Sequence, residues 1–308
     1  MGLAEQEFGR VITAMITAFD QDGDLDIDET VRVAKFLQNE GNTAVVVSGT
    51  TGEASTLTDA EKLELWTTIS ETLTIPVIAG SGSNDTPHSI NMTKSASQLG
   101  VSGILAVAPY YNRPPQSGIL GHFEAMARAT SLPVIVYDIP VRTGRKIASE
   151  TLYSLVERNS NVVGLKDAAG DPAVTAQVLA HLKSRIDVYS GDDSLTLPLL
   201  AIGAIGVIGV ATHWATSLFA QMIESFQKGE NQMAIRLNSL LMPSYRFETS
   251  EFAPNPIPAK VMMRELGFEV GDCRLPVGTA PIGLDESARV VLKQLRTALH
   301  ELTTEEVF

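Results

Sequence analysis

Eight short apolar runs, each followed by a stretch of helical periodicity, restrict this chain more than any other feature. The runs are Val11–Thr17, Ala44–Ser48, Pro76–Ala79, Gly103–Ala108, Pro133–Asp138, Val162–Lys166, Ile186–Ser190 and Gly206–Val210. Most are continuously apolar instead of alternating, as strands covered on both faces are. The intervals Asp28–Glu40, Thr58–Thr72, Thr86–Leu99, Ser117–Thr130, Ser149–Glu157, Asp171–Leu182, Leu195–Ile202 and Ala215–Lys228 read as helices. Thr58, with Glu61 three residues on, makes a capping box. Eight β-α units in about 220 residues match a closed barrel, whereas a doubly wound sheet usually stops at five or six strands. The pattern therefore predicts an α/β fold, a (β/α)8 TIM barrel over residues 9–228. Past Lys228 the strand signal ends, and residues 229–308 read as a C-terminal helical layer of three helices, interrupted by Pro254-Asn255-Pro256-Ile257-Pro258.

Composition narrows the function. Asp plus Glu number 36 against 23 Lys plus Arg in 308 residues, a net charge of −13. Such a surface repels phosphate backbones and anionic leaflets, which speaks against nucleic-acid and membrane partners. The single cysteine, Cys273, allows no internal disulfide framework and no multi-cysteine metal site. His88, His122, His181, His213 and His300 stand far apart, so a metal is not expected. The N-terminal MGLAEQEFGR is too acidic and too weakly apolar for a signal peptide, and Gln6 argues against myristoylation. Leu197–Ala211, the most apolar stretch, is broken by Pro198 and three glycines and fits a buried helix and strand. A soluble, cytoplasmic chain in a reducing compartment is expected.

In such barrels the chemistry sits where strands end and βα loops begin. Strand 2 runs into Gly49-Thr50-Thr51-Gly52-Glu53, strand 4 into Pro109-Tyr110-Tyr111-Asn112, and strand 5 ends in Tyr137-Asp138-Ile139-Pro140 with Arg142 beyond. Strand 6 ends in Lys166 and strand 7 in Ser190-Gly191-Asp192-Asp193. A lysine closing an apolar strand is desolvated, which lowers its pKa and leaves an amine able to attack a carbonyl. The alternative is a lysine that snorkels to the rim or pairs with Asp167. Tyr137, ending the neighbouring strand, is either a proton shuttle for Lys166 or a packing residue with one hydrogen bond. Thr50 and Thr51 suit a small carboxylate, or form an ordinary turn. Arg142 is either a carboxylate clamp or a surface arginine. Asp192-Asp193 reads better as hydrogen-bonding to its loop backbone than as a metal site. Gly80-Ser81-Gly82-Ser83-Asn84-Asp85 has Asp where a dinucleotide fingerprint needs its third glycine.

Together these segments, with Arg142-Thr143-Gly144, Gly164-Leu165-Lys166-Asp167 and Asn255-Pro256-Ile257-Pro258, resemble the dihydrodipicolinate synthase family of pyruvate-dependent class I aldolases and lyases. They follow the family's order and spacing over about residues 9 to 280. The resemblance implies condensation of pyruvate with L-aspartate 4-semialdehyde to 4-hydroxy-tetrahydrodipicolinate, with neither cofactor nor metal. It implies Lys166 as the Schiff-base residue, Tyr137 as proton donor and acceptor, and a proton relay completed by Thr50 and Tyr111. Thr51 would bind the pyruvate carboxylate, the Ile208 carbonyl would face the bound pyruvate, and Gly191 is carried as a substrate-binding position. Arg142 would receive the carboxylate of the semialdehyde. Position 111 in the family is supplied by a neighbouring subunit, so a homo-oligomer, a tetramer built as a dimer of dimers, is expected.

The chain departs from the family pattern at Asp138, where many members have Asn, and at Ala18, where Pro is common. At the family's lysine-inhibition cleft Asn84 and Tyr110 match, while Asp59, Lys62 and His88 differ from the enterobacterial residues, which implies weak sensitivity to L-lysine. N-acetylneuraminate lyase and 2-keto-3-deoxy-sugar-acid aldolases share the lysine and the tyrosine. They usually carry Ser-Thr at the carboxylate turn and lack the arginine, so Thr50-Thr51 and Arg142 favour the synthase. A keto-acid-binding barrel without activity is the alternative from another class.

Overall fold

The computed structural model describes residues 2–182 and 185–305. Eight parallel strands hydrogen-bond in chain order and close on themselves, β1 (Val11–Ala14) pairing with both β2 (Ala44–Val47) and β8 (Gly206–Gly209). Between them run β3 (Val77–Gly80), β4 (Gly103–Val107), β5 (Val134–Asp138), β6 (Val162–Asp167) and β7 (Asp187–Ser190). Each lies within one residue of its sequence-based bounds except β1, which stops three short of Thr17. Beyond Ala14 the backbone leaves the ladder, because the Ile16 N–H donates to His213 Nε2 (3.1 Å) and the Phe19 N–H to the Val270 carbonyl (3.1 Å).

Successive strand residues point to opposite faces, and both faces are dry. Ile12, Ala44, Val46, Ile78, Leu105, Ile135, Tyr137, Tyr189 and Ile208 fill the barrel interior. Their neighbours Val45, Val47, Ala79, Ile104, Ala106 and Val136 pack outward under the helices. That double burial is why the strands read as unbroken apolar runs. The covering helices are α2 (Ile27–Asn39), α3 (Asp59–Thr72), α4 (Thr86–Ala96), α5 (Gln116–Arg128), α7 (Ser149–Arg158), α8 (Pro172–Leu182), α9 (Thr196–Leu200) and α10 (Thr212–Gln227). The Thr58 capping box is formed, with Glu61 N–H on Thr58 Oγ1 (3.2 Å) and Thr58 N–H on Glu61 Oε2 (2.7 Å).

Among the described residues, two short helices lie outside the sequence-based assignment. One is α6 (Pro140–Thr143), a single turn after β5. The other, α1 (Leu3–Phe8), plugs the N-terminal end of the barrel with Ala4 and Phe8, both fully buried. A side chain on Gly103 would fall 2.5 Å from the Phe8 ring, so Gly103→Ala would push the plug out. Burying a phenylalanine contributes about 2 kcal/mol, a sizeable share of a domain's net stability.

After α10 come α11 (Asn231–Phe247), α12 (Ile257–Glu265) and α13 (Leu284–Glu305), three helices among the described residues from 229 on. Leu237, Leu241, Val261, Met262, Ala288, Leu292 and Leu295 from them pack with Leu218, Phe219 and Met222 of α10 as a second core. Among the described residues no helix is long and apolar enough to cross a membrane.

Candidate active site

Backbone strain is concentrated at one end of the barrel. The four non-glycine residues with positive φ among those described are Ser48 (53°), Glu53 (56°), Tyr111 (70°) and Arg113 (44°), all in the loops after β2 and β4. Such conformations cost of order 1–3 kcal/mol each and persist where the surroundings hold them. Ser48 is held by the Trp66 indole N–H (2.8 Å), and a side chain on Gly80 would fall 2.3 Å from the Ser48 carbonyl oxygen. Glu53 is held by Lys260, whose Nζ lies 2.8 Å from Glu53 Oε1, both side chains being 1 % exposed. The same ammonium donates to the Asp272 carbonyl (2.9 Å) and lies 4.1 Å from the centre of the Phe19 ring. Removing one partner of a buried ion pair costs about 3–5 kcal/mol, so this contact fixes the Thr50-Thr51 turn to α12.

The loops enclose a cavity of ≈ 230 Å³, lined among others by Thr50, Tyr110, Tyr137, Arg142 and Asn255. Drug-sized ligands occupy about 300–1,000 Å³, so this volume suits a small substrate. Tyr137 and Lys166 are register partners on β5 and β6, and Lys166 Nζ lies 4.4 Å from the centre of the Tyr137 ring. Lys166 is 5 % exposed. Burial lowers its amine to about 8, against the pull of the Asp193 carboxylate and with help from the Arg142 guanidinium. No ion pair joins Lys166 to Asp167: the Asp167 carboxylate instead takes Ala169 N–H (2.8 Å) and the Thr175 hydroxyl. A buried amine partly neutral near pH 8 is a nucleophile suited to carbonyl carbon.

Tyr137 is buried and its phenol is raised by desolvation, which Arg142 and a hydrogen bond with the Thr50 side chain oppose. Thr50, Tyr137, Lys166 and Arg142, read from the ends of strands 2, 5 and 6, thus meet at one end of the barrel. Gly191 packs behind them: a Cβ there would fall 2.9 Å from Lys166 Cγ, so only glycine leaves room for the lysine stem. Ile208 lies in the barrel interior beside Ile12, fully buried. Thr51 is buried, and its hydroxyl accepts the Asn255 side-chain N–H (2.9 Å). Tyr111 does not join the group within its own chain: it stands 89 % exposed on the rim.

Arg142 is exposed at the rim of the barrel but is not without a partner. It lines the cavity and donates from Nη2 to the Asn255 carbonyl (3.0 Å). Asn255 therefore joins the Thr51 turn to the arginine, a role the sequence shows only as a proline-flanked asparagine. Asp192 and Asp193 bond their loops: Asp192 Oδ1 accepts Ser194 N–H (3.0 Å), and Asp193 Oδ2 accepts Val210 N–H (2.9 Å) and Ala211 N–H (2.6 Å).

Comparison with known proteins finds relatives over nearly the whole chain. The sequence profile of the dihydrodipicolinate synthetase family matches residues 7–295. A 4-hydroxy-tetrahydrodipicolinate synthase from Synechococcus sp. (strain JA-2-3B'a(2-13)) is 42% identical over 290 residues, 94% of this chain and 92% of the relative. The dihydrodipicolinate synthase of Cyanidioschyzon merolae, solved with lysine bound, is 39% identical with a TM-score of 0.90, covering 94% of this chain and 98% of that one. The chloride-inhibited enzyme from Acinetobacter baumannii, solved with pyruvate, is 34% identical with a TM-score of 0.88, covering 93% and 98%. The chain belongs to the dihydrodipicolinate synthetase family.

Proposed function

We propose that this chain condenses pyruvate with L-aspartate 4-semialdehyde to 4-hydroxy-tetrahydrodipicolinate, the opening step of the diaminopimelate route to lysine. One observation carries the reading: a buried lysine at the end of β6, its amine lowered to about 8, lies against the ring of its register partner Tyr137. The names borne by relatives about 40% identical over nearly the whole chain support the same substrates.

In this reaction the neutral Lys166 amine adds to the pyruvate ketone, and loss of water gives a protonated imine. The imine withdraws electrons, so a methyl proton leaves and an enamine forms. The enamine carbon attacks the aldehyde, whose oxygen takes a proton through Tyr137. The amine of the second substrate then attacks the imine carbon, and Lys166 leaves as the free amine while the ring closes. Thr50 hydrogen-bonds Tyr137, as a relay of protons requires. Thr51 with its turn amides holds the pyruvate carboxylate, Ile208 and Gly191 border the bound keto acid, and Arg142 takes the carboxylate of the semialdehyde. Tyr111, exposed on its own chain, completes the relay in the cavity of a second copy, which makes the working unit a homo-oligomer. The net charge and the composition fit a cytoplasmic enzyme.

Borohydride reduction with pyruvate, followed by intact mass and digestion, tests the proposal. One reduced pyruvate adduct on Lys166, together with turnover of aspartate semialdehyde, is expected. No adduct would leave a keto-acid-binding barrel. An adduct with turnover of a sialic acid or a keto-deoxy sugar acid instead would make the chain a sibling aldolase.

A further inference from the structure

One pair of buried acids, of which Asp193 acts electrostatically on Lys166, has no role in the reaction above. Asp193, in the 3-10 turn after β7, is 2 % exposed, and Glu248, the residue that ends α11, is 8 % exposed. The Asp193 carboxylate holds the Val210 and Ala211 amides that follow β8 and hydrogen-bonds the Glu248 side chain. Two ionised carboxylates have no hydrogen to place between them, so this contact requires a proton on one of the two acids. Asp193 lies so close to the end of β8 that a Cβ on Gly209 would fall 2.4 Å from Asp193 Oδ1. Glu248 Oε2 is buried with no protein partner.

We propose that Asp193 and Glu248 share one proton and together form the buried counter-ion of Lys166, a positioning pair that offers the lysine a single negative charge. The inference rests on Lys166 being the Schiff-base residue. In that role Lys166 passes from neutral amine to protonated imine and back within a desolvated site. With no anion nearby, the imine's charge would be buried unpaired. Two anions would hold the free lysine as ammonium and stop it attacking a ketone. One shared proton leaves the intermediate charge. Burial raises both acids, Glu248 well above its usual range, and their hydrogen bond raises Glu248 while it lowers Asp193, which assigns the shared proton to Glu248. The other groups facing the pair are Asp192 from the same turn, Tyr245 from α11 and Lys166 from β6, while Arg142 from α6 faces Lys166. The same carboxylate clamps the backbone just past Ile208, so charge and position are set together.

The pH dependence of pyruvate trapping and the KM for pyruvate test this in the whole enzyme. Asp193→Asn should move the acid limb of trapping down by about one pH unit and raise the KM about tenfold, since amine and imine both lose their anion. Glu248→Leu should move both in the same direction but less, and Glu248→Gln, which still donates a hydrogen bond, should stay within about twofold of wild type. A merely structural role would lower stability and leave the acid limb where it is. The proposal fails if Asp193→Asn and Glu248→Leu both keep the wild-type limb and KM, or if Glu248→Gln is as impaired as Glu248→Leu. Should Glu248→Leu not fold, the near-isosteric Asp193→Asn and Glu248→Gln carry the comparison alone. Absence of any wild-type adduct on Lys166 would instead overturn the parent reading.

Discussion

Lys166 and Tyr137 occupy the same register level on adjacent parallel strands, so both side chains point to the same side of the sheet, and the ammonium nitrogen sits 4.4 Å from the ring centre. Paired residues in a parallel ladder keep this relation whatever the loops above them do. The proposed nucleophile and its proposed proton partner are therefore set by strand register, and the remaining groups are brought to them by loops.

The pH profile follows from the lysine. With its amine lowered to about 8, Lys166 is mostly ammonium at pH 6 and mostly free amine at pH 9. The rate of adduct formation should rise about tenfold per pH unit below 7 and level off above about 8.5. Rapid-quench trapping with borohydride across pH 6–9 measures it. A profile still climbing steeply at pH 10 would mean an ordinary lysine, and Lys166→Ala should remove trapping altogether.

Arg142 should separate the two substrates. Its guanidinium lines the cavity and is held by the Asn255 carbonyl at 3.0 Å. Arg142→Ala should still trap pyruvate but use aspartate semialdehyde about 30- to 150-fold less well, the loss of one charge-assisted hydrogen bond of about 2–3 kcal/mol. Steady-state kinetics with each substrate varied reads the difference. Unchanged kcat/KM for the semialdehyde would remove Arg142 from substrate binding.

The barrel was legible in the sequence because double burial leaves little that is polar inside a strand, so Lys166 and Tyr137 stand out as polar strand ends. The α1 plug was not: six residues give too short a window for a 3.6-residue period, and Phe8 shows its purpose only against Gly103. Partners far apart along the chain were equally hidden. Nothing local to Glu53 announces Lys260, although a lysine within the otherwise apolar IPAKVMM segment was the available signal. Asn255 could be read as part of a motif, but its bonds to Thr51 and Arg142 appear only when the chain closes.

Tyr111 tests assembly. It is 89 % exposed with a φ of 70°, an exposed aromatic in a strained backbone that a monomer gains nothing by keeping. Interfaces concentrate such aromatic anchors. Tyr111→Phe and Lys166→Ala subunits, each inactive alone, should regain activity when mixed under exchange conditions, because some sites then take Lys166 from one chain and Tyr111 from the other. No recovery despite proven subunit exchange would show that Tyr111 serves its own chain.

Asp138 makes stability depend on pH. Burial, and then the Asp167 carboxylate, push its carboxyl up to about 7, against the Ile147 N–H and Lys146. The folded state thus holds a proton that the unfolded chain, with Asp near 3.9, releases. Where the native state binds more protons, stability falls as pH rises, here between about 4 and 7, and stays low above. Asp138→Asn keeps an acceptor for Ile147 and removes the ionisation. It should stabilise the protein by about 1–3 kcal/mol at pH 8 and hardly at all at pH 4. Denaturant melts at the two pH values measure this, and equal gains at both would sink the argument.

Sensitivity to L-lysine should be weak. An effector with an ammonium and a carboxylate needs an acceptor cluster and a donor, and Asp59 was the acceptor available to the ammonium. In the structure both Asp59 oxygens already face His88 Nε2, at 2.9 and 3.0 Å, and His88 Nδ1 contacts Ser83 Oγ at 3.2 Å. Binding must break that pair or do without it. The Lys62 side chain lines the same cavity as Tyr110, and burial lowers its amine. A cation about 6 Å from the effector's ammonium costs about 1 kcal/mol at an effective dielectric constant near 50 and about 3 near 20, a roughly 5- to 150-fold loss of affinity. Exchanging Asp59 for a neutral residue should change the response little, whereas His88→Ala frees the Asp59 carboxylate and should sharpen it. Titrating the synthase reaction with lysine at pH 8 reads both. Half-inhibition of the wild type well below about 1 mM, an affinity better than about −4 kcal/mol, would defeat the argument, because an acceptor already engaged and a cation nearby leave no room for tight binding.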